Sequence, residues 1–396
     1  MNRRGYPTAC HTAIGVCAMV SIGGVAYAAA IPPSAAIAAC MDRAAESLGF
    51  NGAVEARVGE ATVERFFGTA DAAWVRPVTG ETRFNLGSAS KMFTAVAIGR
   101  LVDRGTVVFD APIERYLPGL PSPFGAITIA QLLSHTSGLG DYFQPSNASR
   151  IASARTARDL LPLALAEPPA YKPGSKRAYS NSGFVVLGAI IEQVSGSTYQ
   201  DFLQREILGP LGMRDTRADA SGAAEPMSRM SPDDILRDLA PVRMPSLRAS
   251  PAGGMFSTPK DIAVFLTALL ENRLLSRATL ATLFMPRDDP GGGPGTYGYG
   301  FTVRATPLNV GHGGGAPGVN AEIALYPDTG LQLIALANRD PPVASQMVKV
   351  LERALLATDP ASACAAALAD PQLKAMGPRQ RAQCSSRSRG RCHVSP

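Results

Sequence analysis

The sequence predicts an α+β fold with an α/β layer, in which helices flank an antiparallel sheet. Both chain ends build this layer, and a mainly helical domain is inserted between them. Apolar and polar residues alternate with the period of a strand over residues 52–68. The strand signal returns after residue 251, in three segments: 297–303, 321–326 and 331–337. Between these two regions the apolar residues recur at helical spacing instead. One layer assembled from both ends is the arrangement that this order favours.

Each predicted helix and turn has its own signal in the sequence. A helical run over residues 35–48 precedes the first two strands. Residues 88–104 carry apolar residues at helical spacing, and Gly105 stands at the expected C-cap. Four amphipathic runs in the insertion are predicted to be helical: 127–133, 157–165, 184–194 and 199–208. Near the end, Asp328-Thr329-Gly330 forms a hairpin turn, and a final helix is predicted over residues 342–357.

These elements define the domain organisation that we expect. Residues 29–368 form the catalytic domain. Its α/β part is expected at residues 35–110 and 251–360, around the helical insertion at 111–250. A basic, disordered tail is expected over residues 369–396.

Composition excludes some classes of protein. The chain has 396 residues, of which 46% are hydrophobic, so it is long enough for two or three cores and too apolar to be disordered. Its net charge of +6 comes from two arginines within residues 1–30 and five within residues 379–396, which leaves −1 for the remainder. No basic stripe interleaved with aromatic residues is present, so a nucleic-acid partner is not expected.

The first residues resemble an export signal. A short basic segment is followed by an apolar run over residues 13–26 and by the small residues Ala26 and Ala28. We expect cleavage near Ala28 and a periplasmic or secreted mature protein with no transmembrane span. The alternative is an uncleaved anchor, which is disfavoured because the run is shorter than the roughly 20 residues that a span needs.

The cysteines left after cleavage fit an oxidising compartment. Four remain, and they permit three connectivities if all pair: Cys40, Cys364, Cys384 and Cys392. A bond between Cys40 and Cys364 would join the two ends of the domain. No cluster of cysteines or histidines has the spacing of a metal site, so neither a metal nor a cofactor is expected.

Ser88 and Lys91 lie three residues apart at the start of a predicted helix. At that spacing their Cβ atoms are about 5–6 Å apart on one face, so the amine can take the hydroxyl proton. The helix N-terminus also offers backbone N–H groups to an oxyanion. This is the arrangement that a serine nucleophile needs.

A second Ser-x-x-Lys pattern shows that the pattern alone is weak. In the segment from Ser257 to Lys260, Thr258 is a good N-cap, Pro259 suits the first helical position and Asp261 completes a capping box. That segment is interpreted as an ordinary helix start. The residues around Ser88 must therefore decide.

The stretch F-N-L-G-S-A-S-K-M-F-T-A (84–95) resembles the nucleophile segment of the serine β-lactamase and penicillin-binding-protein family. Its class C and D-alanyl-D-alanine carboxypeptidase branch is the most similar. Further blocks follow in the family's order: L-L-S-H-T-S-G-L (132–139), P-G-S-K-R-A-Y-S-N-S-G-F (173–184), G-P-L-G-M-R-D-T (209–216), P-A-G-G-M-F-S-T (251–258) and G-H-G-G-G-A-P-G (311–318). The resemblance covers about residues 40–360 and implies the β-lactamase/transpeptidase-like fold.

The resemblance also assigns roles to single residues. Tyr179 and Asn181 match the family's Tyr-x-Asn element. The hydroxyl of Tyr179 would meet both Ser88 and Lys91, and either Tyr179 or Lys91 is the general base. Asn181 would contact Lys91 and the amide of the substrate.

The third family element departs from the usual pattern. Where most β-lactamases have Lys-Thr-Gly, this chain has His312-Gly313-Gly314. A histidine is only partly charged near neutral pH, so a substrate carboxylate is bound more weakly than by lysine. The resemblance places one oxyanion donor at the N–H of Ser88 and the other at Gly315.

An α/β-hydrolase is the competing enzyme class, because the run of glycines after His312 matches a lipase motif. That motif should precede a G-x-S-x-G elbow, and the chain has none. Elsewhere, His135 is expected to hold a loop, Asp141 and Tyr142 are lesser candidates for the lining of the cleft, and Trp74 is expected to pack or to form a cleft wall.

The expected function is that of an exported serine hydrolase that forms an acyl-enzyme on Ser88. Its substrate is expected to be a small molecule or a peptide, namely a small ester or a D-amino-acid peptide. The peptides considered include those derived from peptidoglycan. Two alternatives stay open: β-lactam hydrolysis, and non-catalytic binding of peptidoglycan by a protein of the same fold. The sequence leaves the oligomeric state open.

Overall fold

The computed structural model describes residues 34–71, 73, 75–228, 250–293 and 295–375. The predicted signal segment (1–28), Trp74, Cys384 and Cys392 lie outside the described residues. Within these ranges, no helix combines the length and the apolar character needed to cross a membrane.

The centre of the fold is an antiparallel sheet of six strands. Their bounds are β1 (Gly52–Val58), β2 (Ala61–Phe67), β5 (Thr302–Ala305), β6 (Leu308–Ala316), β7 (Val319–Tyr326) and β8 (Leu331–Ala337). The strand order is β2-β1-β8-β7-β6-β5, so strands from the two ends of the chain meet where β1 pairs with β8. The predicted sheet assembled from both chain ends is confirmed. Two short strands, β3 (Phe84–Asn85) and β4 (Phe256–Ser257), pair with each other.

Helices account for most of the remaining regular structure. Their bounds are α1 (Ser34–Leu48), α2 (Lys91–Asp103), α3 (Ile129–Leu133), α4 (Ala148–Ser153), α5 (Ala157–Ala164), α6 (Asn181–Ser195), α7 (Tyr199–Leu203), α8 (Gly209–Leu211), α9 (Pro259–Leu270), α10 (Arg277–Phe284), α11 (Val343–Leu355), α12 (Pro360–Ala369) and α13 (Pro371–Lys374). A π-helical turn continues α7.

Hydrophobic packing covers both faces of the sheet. On one face Leu333 of β8 belongs to a core shared with α1, α11 and α12, and on the other Leu336 belongs to the larger core that contains α2, α6 and α9. Every residue of β8 is buried as a result. This explains why β8 is an almost unbroken apolar run, where an alternating pattern would mark a strand with one wet face.

The helix that begins at Asn181 shows how local sequence places a site residue. Ser180 is the N-cap, and its hydroxyl accepts a hydrogen bond from the N–H of Gly183. Gly196 ends the helix in the left-handed region, at φ 68°. These caps put Asn181 in the first turn of α6, one residue after the helix cap and two after Tyr179.

The sequence pattern misplaced three features. The hydrophobic pattern does not mark strand β6, because its four glycines hide any alternation, although the family resemblance implies a strand at His312-Gly313-Gly314. The strand predicted over residues 297–303 is instead Thr302–Ala305, and Tyr297 makes only isolated bridges. The predicted disordered tail begins too early, since Pro371–Lys374 is helical. Residues 376–396 of that tail lie outside the described part of the chain.

A disulfide joins Cys40 of α1 to Cys364 of α12, which is one of the pairings that the sequence left open. Both cysteines are fully buried, and they belong to the core that β8 shares with α1, α11 and α12. The two residues are 324 positions apart in the chain, so the bond closes a loop that spans nearly the whole domain. A loop of this length restricts the unfolded chain strongly.

We therefore expect the Cys40→Ser/Cys364→Ser variant to unfold at lower urea concentration than the wild type. The expected loss in the free energy of unfolding is about 2–5 kcal/mol, because the unfolded chain regains its freedom. Urea titration followed by circular dichroism measures it, with dithiothreitol-treated wild type as the control. Equal midpoints for the variant and the oxidised wild type would contradict the prediction.

Candidate active site

Ser88 lies in a tight turn that leads into α2. Residues Gly87–Ser90 form a 3-10 turn, and Gly87 has a positive φ of 50°. The side chain of Asn85 accepts a hydrogen bond from the N–H of Gly87 at 2.8 Å. Ser90 also stabilises the turn, because its hydroxyl donates a hydrogen bond to the carbonyl of Gly87 and accepts one from the N–H of Met255. The half-buried Ser88 is thus held in place by its neighbours.

Lys91, the first residue of α2, is fully buried beside Ser88. Its Nζ lies 3.3 Å from Ser88 Oγ and 2.8 Å from Asn181 Oδ1, and it also donates to the carbonyl of Ala252. Loss of hydration lowers the pKa of the Lys91 amine to about 7, although the negative charge of Asp141 opposes that shift. Near neutral pH a large fraction of the Lys91 side chains is therefore neutral and able to accept a proton.

Tyr179 lies at the surface of the same site. Its side chain is 49% exposed, and the centre of its ring is 4.8 Å from Lys91 Nζ. The ring also packs against the ring of His135, with the centres 4.3 Å apart. The structure therefore brings together Ser88, Lys91 and Tyr179, the three residues that the sequence marks as catalytic.

His135 holds the backbone on both sides of Tyr179. The His135 carbonyl accepts a hydrogen bond from the N–H of Ala178, and its Nδ1 accepts one from the N–H of Ser180. Burial lowers the pKa of the His135 imidazole well below its usual value, so the ring is neutral. Its φ of 60° is rare for a residue with a side chain. The predicted role of His135 in holding a loop agrees with these contacts.

Asn181 connects Lys91 to a carboxylate that the sequence marked only as lining the cleft. While Asn181 Oδ1 accepts from Lys91, its Nδ2 donates to Asp141 Oδ2 at 2.9 Å. Partial loss of hydration raises the pKa of the Asp141 carboxyl, even though the residue is exposed. No local pattern marks Asp141 as a partner of Lys91, because 50 residues separate them. Tyr142, by contrast, is buried and bonds to Ser250.

The glycines of β6 pack directly against the Ser88 turn. A Cβ atom on Gly314 would lie 1.9 Å from the carbonyl oxygen of Leu86 and 3.0 Å from the nitrogen of Ser88. A Cβ atom on Gly87 would lie 3.0 Å from the nitrogen of Gly315. Only glycine permits this approach. The N–H groups of Ser88 and Gly315 are therefore close together, as an oxyanion hole requires.

His312 is placed differently from the role that resemblance implies. It is buried on β6, and its Nε2 lies 2.9 Å from the hydroxyl of Tyr297. Its Nδ1 bonds to the carbonyl of Gly313, which can only accept, so Nδ1 carries a hydrogen. In the neutral ring Nε2 then accepts from Tyr297, whose pKa burial raises well above its usual value. Both ring nitrogens of His312 are thus engaged within the protein.

Tyr297 is a residue that sequence reasoning missed at this site. It was assigned to a strand, but its ring contacts both histidines, with centres 4.8 Å from His135 and 5.7 Å from His312. The alternating pattern around it carried no sign of this role.

Within the ranges that the structure describes, no group of three or more histidine, cysteine, aspartate or glutamate residues is arranged to hold a metal ion.

This geometry permits one kind of chemistry directly. A hydroxyl lies within reach of an amine that is neutral near pH 7, and two backbone N–H groups stand beside it to stabilise a negative oxygen. A carbonyl carbon placed between them can be attacked by Ser88.

Comparisons with known proteins agree with this geometry. The Beta-lactamase family model matches residues 37–358. The chain is 30% identical over 316 residues to penicillin-binding protein 4* of Bacillus subtilis, which covers 74% of this chain and 68% of that protein. It is 32% identical over 285 residues to esterase EstB of Burkholderia gladioli, covering 63% and 72% respectively.

Among solved structures, the D-amino acid amidase of Ochrobactrum anthropi SV3, complexed with L-phenylalanine, is similar to this chain. The two share 28% identity and superpose with a TM-score of 0.66. The match covers 85% of this chain and 98% of that one. The resemblance therefore extends over most of both folds.

We expect the Lys91 amine to titrate near pH 7, and to titrate at lower pH in the Asp141→Asn variant. Removing the carboxylate removes the charge that favours the protonated amine, so the pKa of Lys91 falls. Carbon-13 NMR of the lysine side chains, of which the chain has six, measures the midpoint, and Lys91→Met assigns the signal. Asp201→Asn, an exposed change of equal charge, is the control. An unchanged or higher midpoint in Asp141→Asn would refute the coupling.

Proposed function

The chain belongs to the β-lactamase family, and from this premise we propose that it is a serine hydrolase that cleaves an amide or ester through an acyl-enzyme on Ser88. The relatives include an esterase and a D-amino acid amidase, so the family acts on both kinds of bond. The observation that carries the proposal is the buried Lys91 amine, with a pKa of about 7, at 3.3 Å from the Ser88 hydroxyl.

Acylation begins with proton transfer from Ser88 to neutral Lys91. The Ser88 oxygen then forms a bond to the substrate carbonyl carbon, and the carbonyl oxygen becomes negative. The N–H groups of Ser88 and Gly315 donate hydrogen bonds to that oxygen. They need not move to do so, because packing already fixes Gly314 against the Ser88 turn.

Collapse of this intermediate breaks the bond to the leaving group. The departing nitrogen or oxygen takes a proton that originated from Ser88, and Tyr179 is the exposed group beside Lys91 able to pass it on. Water then attacks the acyl-enzyme, gives one proton back to the Lys91–Tyr179 pair and releases the acid. Ser88 regains its hydrogen, so the enzyme is restored.

The charges around the cleft favour neutral or cationic substrates. His312 occupies the place of a lysine, but both of its ring nitrogens are bonded within the protein, to Tyr297 and to the carbonyl of Gly313. Asp141 adds an exposed carboxylate 2.9 Å from Asn181, which would repel a carboxylate on the substrate. We infer that a D-amino-acid amide or peptide, or a small ester, is the substrate class, with peptidoglycan-derived peptides among the candidates.

Export to the periplasm or the medium is part of the proposal. The N-terminal pattern of a basic segment, an apolar run and small residues supports it. So does the Cys40–Cys364 disulfide, because such bonds persist mainly in oxidising compartments.

We expect Lys91→Ala to lose most of its activity and Lys260→Ala to keep it. The two lysines end matching Ser-x-x-Lys patterns, but Lys260 is exposed in the first turn of α9. Loss of the base should lower kcat/KM for a p-nitrophenyl ester by roughly 10²–10⁴-fold. Mass spectrometry after treatment with a fluorophosphonate should find an adduct on Ser88 in the wild type and none in Ser88→Ala.

An inactive wild type without an adduct on Ser88 would favour the non-catalytic alternative. Equal losses in Lys91→Ala and Lys260→Ala would remove the reason for assigning the base to Lys91.

We also expect the wild type to hydrolyse a chromogenic cephalosporin at least tenfold less efficiently than a neutral ester. In Asp141→Asn the ratio of cephalosporin to ester kcat/KM should rise, because one repulsive charge is gone. The ratio cancels the effect of Asp141 on Lys91, which is shared by both substrates. A wild type that prefers the cephalosporin would instead identify β-lactam hydrolysis as the main activity.

A further inference from the structure

Asn320, on β7, lies directly across the ladder from Gly315 of β6. Its side chain is almost fully buried, with 3% of the residue exposed. Its Nδ2 donates to the carbonyl of Gly314 at 2.9 Å, and its Oδ1 accepts from the N–H of Ala344 at 2.7 Å. Both ends of the amide are therefore used, and one of them holds the peptide that precedes Gly315.

The Gly314 carbonyl and the Gly315 N–H belong to one planar peptide group. In a trans peptide these two groups point in opposite directions, so a restraint on the oxygen fixes the direction of the N–H. Glycines restrict their own backbone very little, and three follow one another from Gly313. The hydrogen bond from Asn320 therefore adds a side-chain restraint on this peptide to those given by the pairing of β6 with β7 and by the packing against the Ser88 turn.

The second hydrogen bond of the Asn320 side chain connects it to the well-packed helix α11. Ala344 is in the first turn of α11, whose N-cap residue, Pro342, makes no side-chain cap. Asn320 satisfies one of the backbone N–H groups that such a helix start leaves unpaired. Because α11 is packed in the core beneath β7 and β8, Asn320 ties the glycine strand to a rigid element.

We propose that Asn320 is a positioning residue that orients the N–H of Gly315 toward the oxyanion. This inference rests on the proposed function, since an oxyanion forms only if Ser88 attacks a carbonyl. Asn320 itself does not touch the substrate. Its loss should therefore weaken binding of the transition state and leave binding of the substrate ground state nearly unchanged.

The experiment compares two variants of Asn320 with a matched control. Asn320→Ala removes both hydrogen bonds, whereas Asn320→Asp keeps an acceptor for Ala344 and loses the donor to Gly314. The control is Asn338→Ala, because Asn338 is equally buried and also donates to backbone carbonyls, those of Thr69 and Glu225. For each protein, kcat and KM for a p-nitrophenyl ester, the inhibition constant of a boronic acid and the Tm are measured.

Both Asn320 variants are expected to lose roughly 10–100-fold in kcat, somewhat less than removal of a whole oxyanion donor costs. The boronic acid forms a tetrahedral anion on Ser88, so its affinity should fall in parallel, while KM stays within about twofold. Asn338→Ala should lower the Tm without changing either quantity by more than about twofold. If Asn320→Ala does not fold, Asn320→Asp decides the question.

The inference is overturned if the folded variants keep their kcat and boronic acid affinity, or if Asn338→Ala loses as much as they do. In either case an active wild type with an adduct on Ser88 still supports the proposed function. A wild type with neither activity nor an adduct overturns both.

Discussion

The burial of one amine organises this molecule. Lys91 is removed from water without a carboxylate in direct contact, and its hydrogen bonds go to neutral oxygens of Ser88, Asn181 and Ala252. A charged ammonium is costly in such surroundings, so the pKa of Lys91 falls to about 7. The three partners come from the turn before α2, from α6 and from the loop before β4, which means that the amine is buried only when distant parts of the chain have assembled. The lowered pKa of the Lys91 amine is thus a property of the complete fold.

Much of this site could be predicted from the sequence, because its key residues lie in short segments that resemble those of the serine β-lactamase and penicillin-binding-protein family, whereas the Ser-x-x-Lys spacing alone was too weak to decide. Ser88 and Lys91 stand at a helix start, and Tyr179 and Asn181 flank the N-cap of another. The caps and the alternating strands placed most elements within a few residues. Helix caps and strand alternation can be recognised in this way because both depend on residues that are close together in the chain.

The remainder depended on contacts that no local pattern records. Asp141 influences Lys91 through Asn181, and Tyr297 bonds to a histidine on another element. The hydrophobic pattern did not reveal strand β6, because glycine carries no hydrophobic signal, yet those same glycines allow the close approach to the Ser88 turn. The departure at His312 was visible in the sequence, but its partner was not. A histidine predicted to meet the substrate carboxylate is instead engaged on both of its ring nitrogens.

The pairing of β1 with β8 also has a consequence for the order of assembly. Gly52 lies opposite Ala337, so the strand made early in synthesis finds its central neighbour only after almost the whole domain has been made. Until then β1 and β2 form at most an isolated hairpin, which is marginal in water. The sheet can therefore close only as a late event, after β8 has been made. A protein built in this way remains without its central sheet during most of its synthesis, and this lateness is compatible with the export proposed above, since a translocation channel admits an unfolded chain.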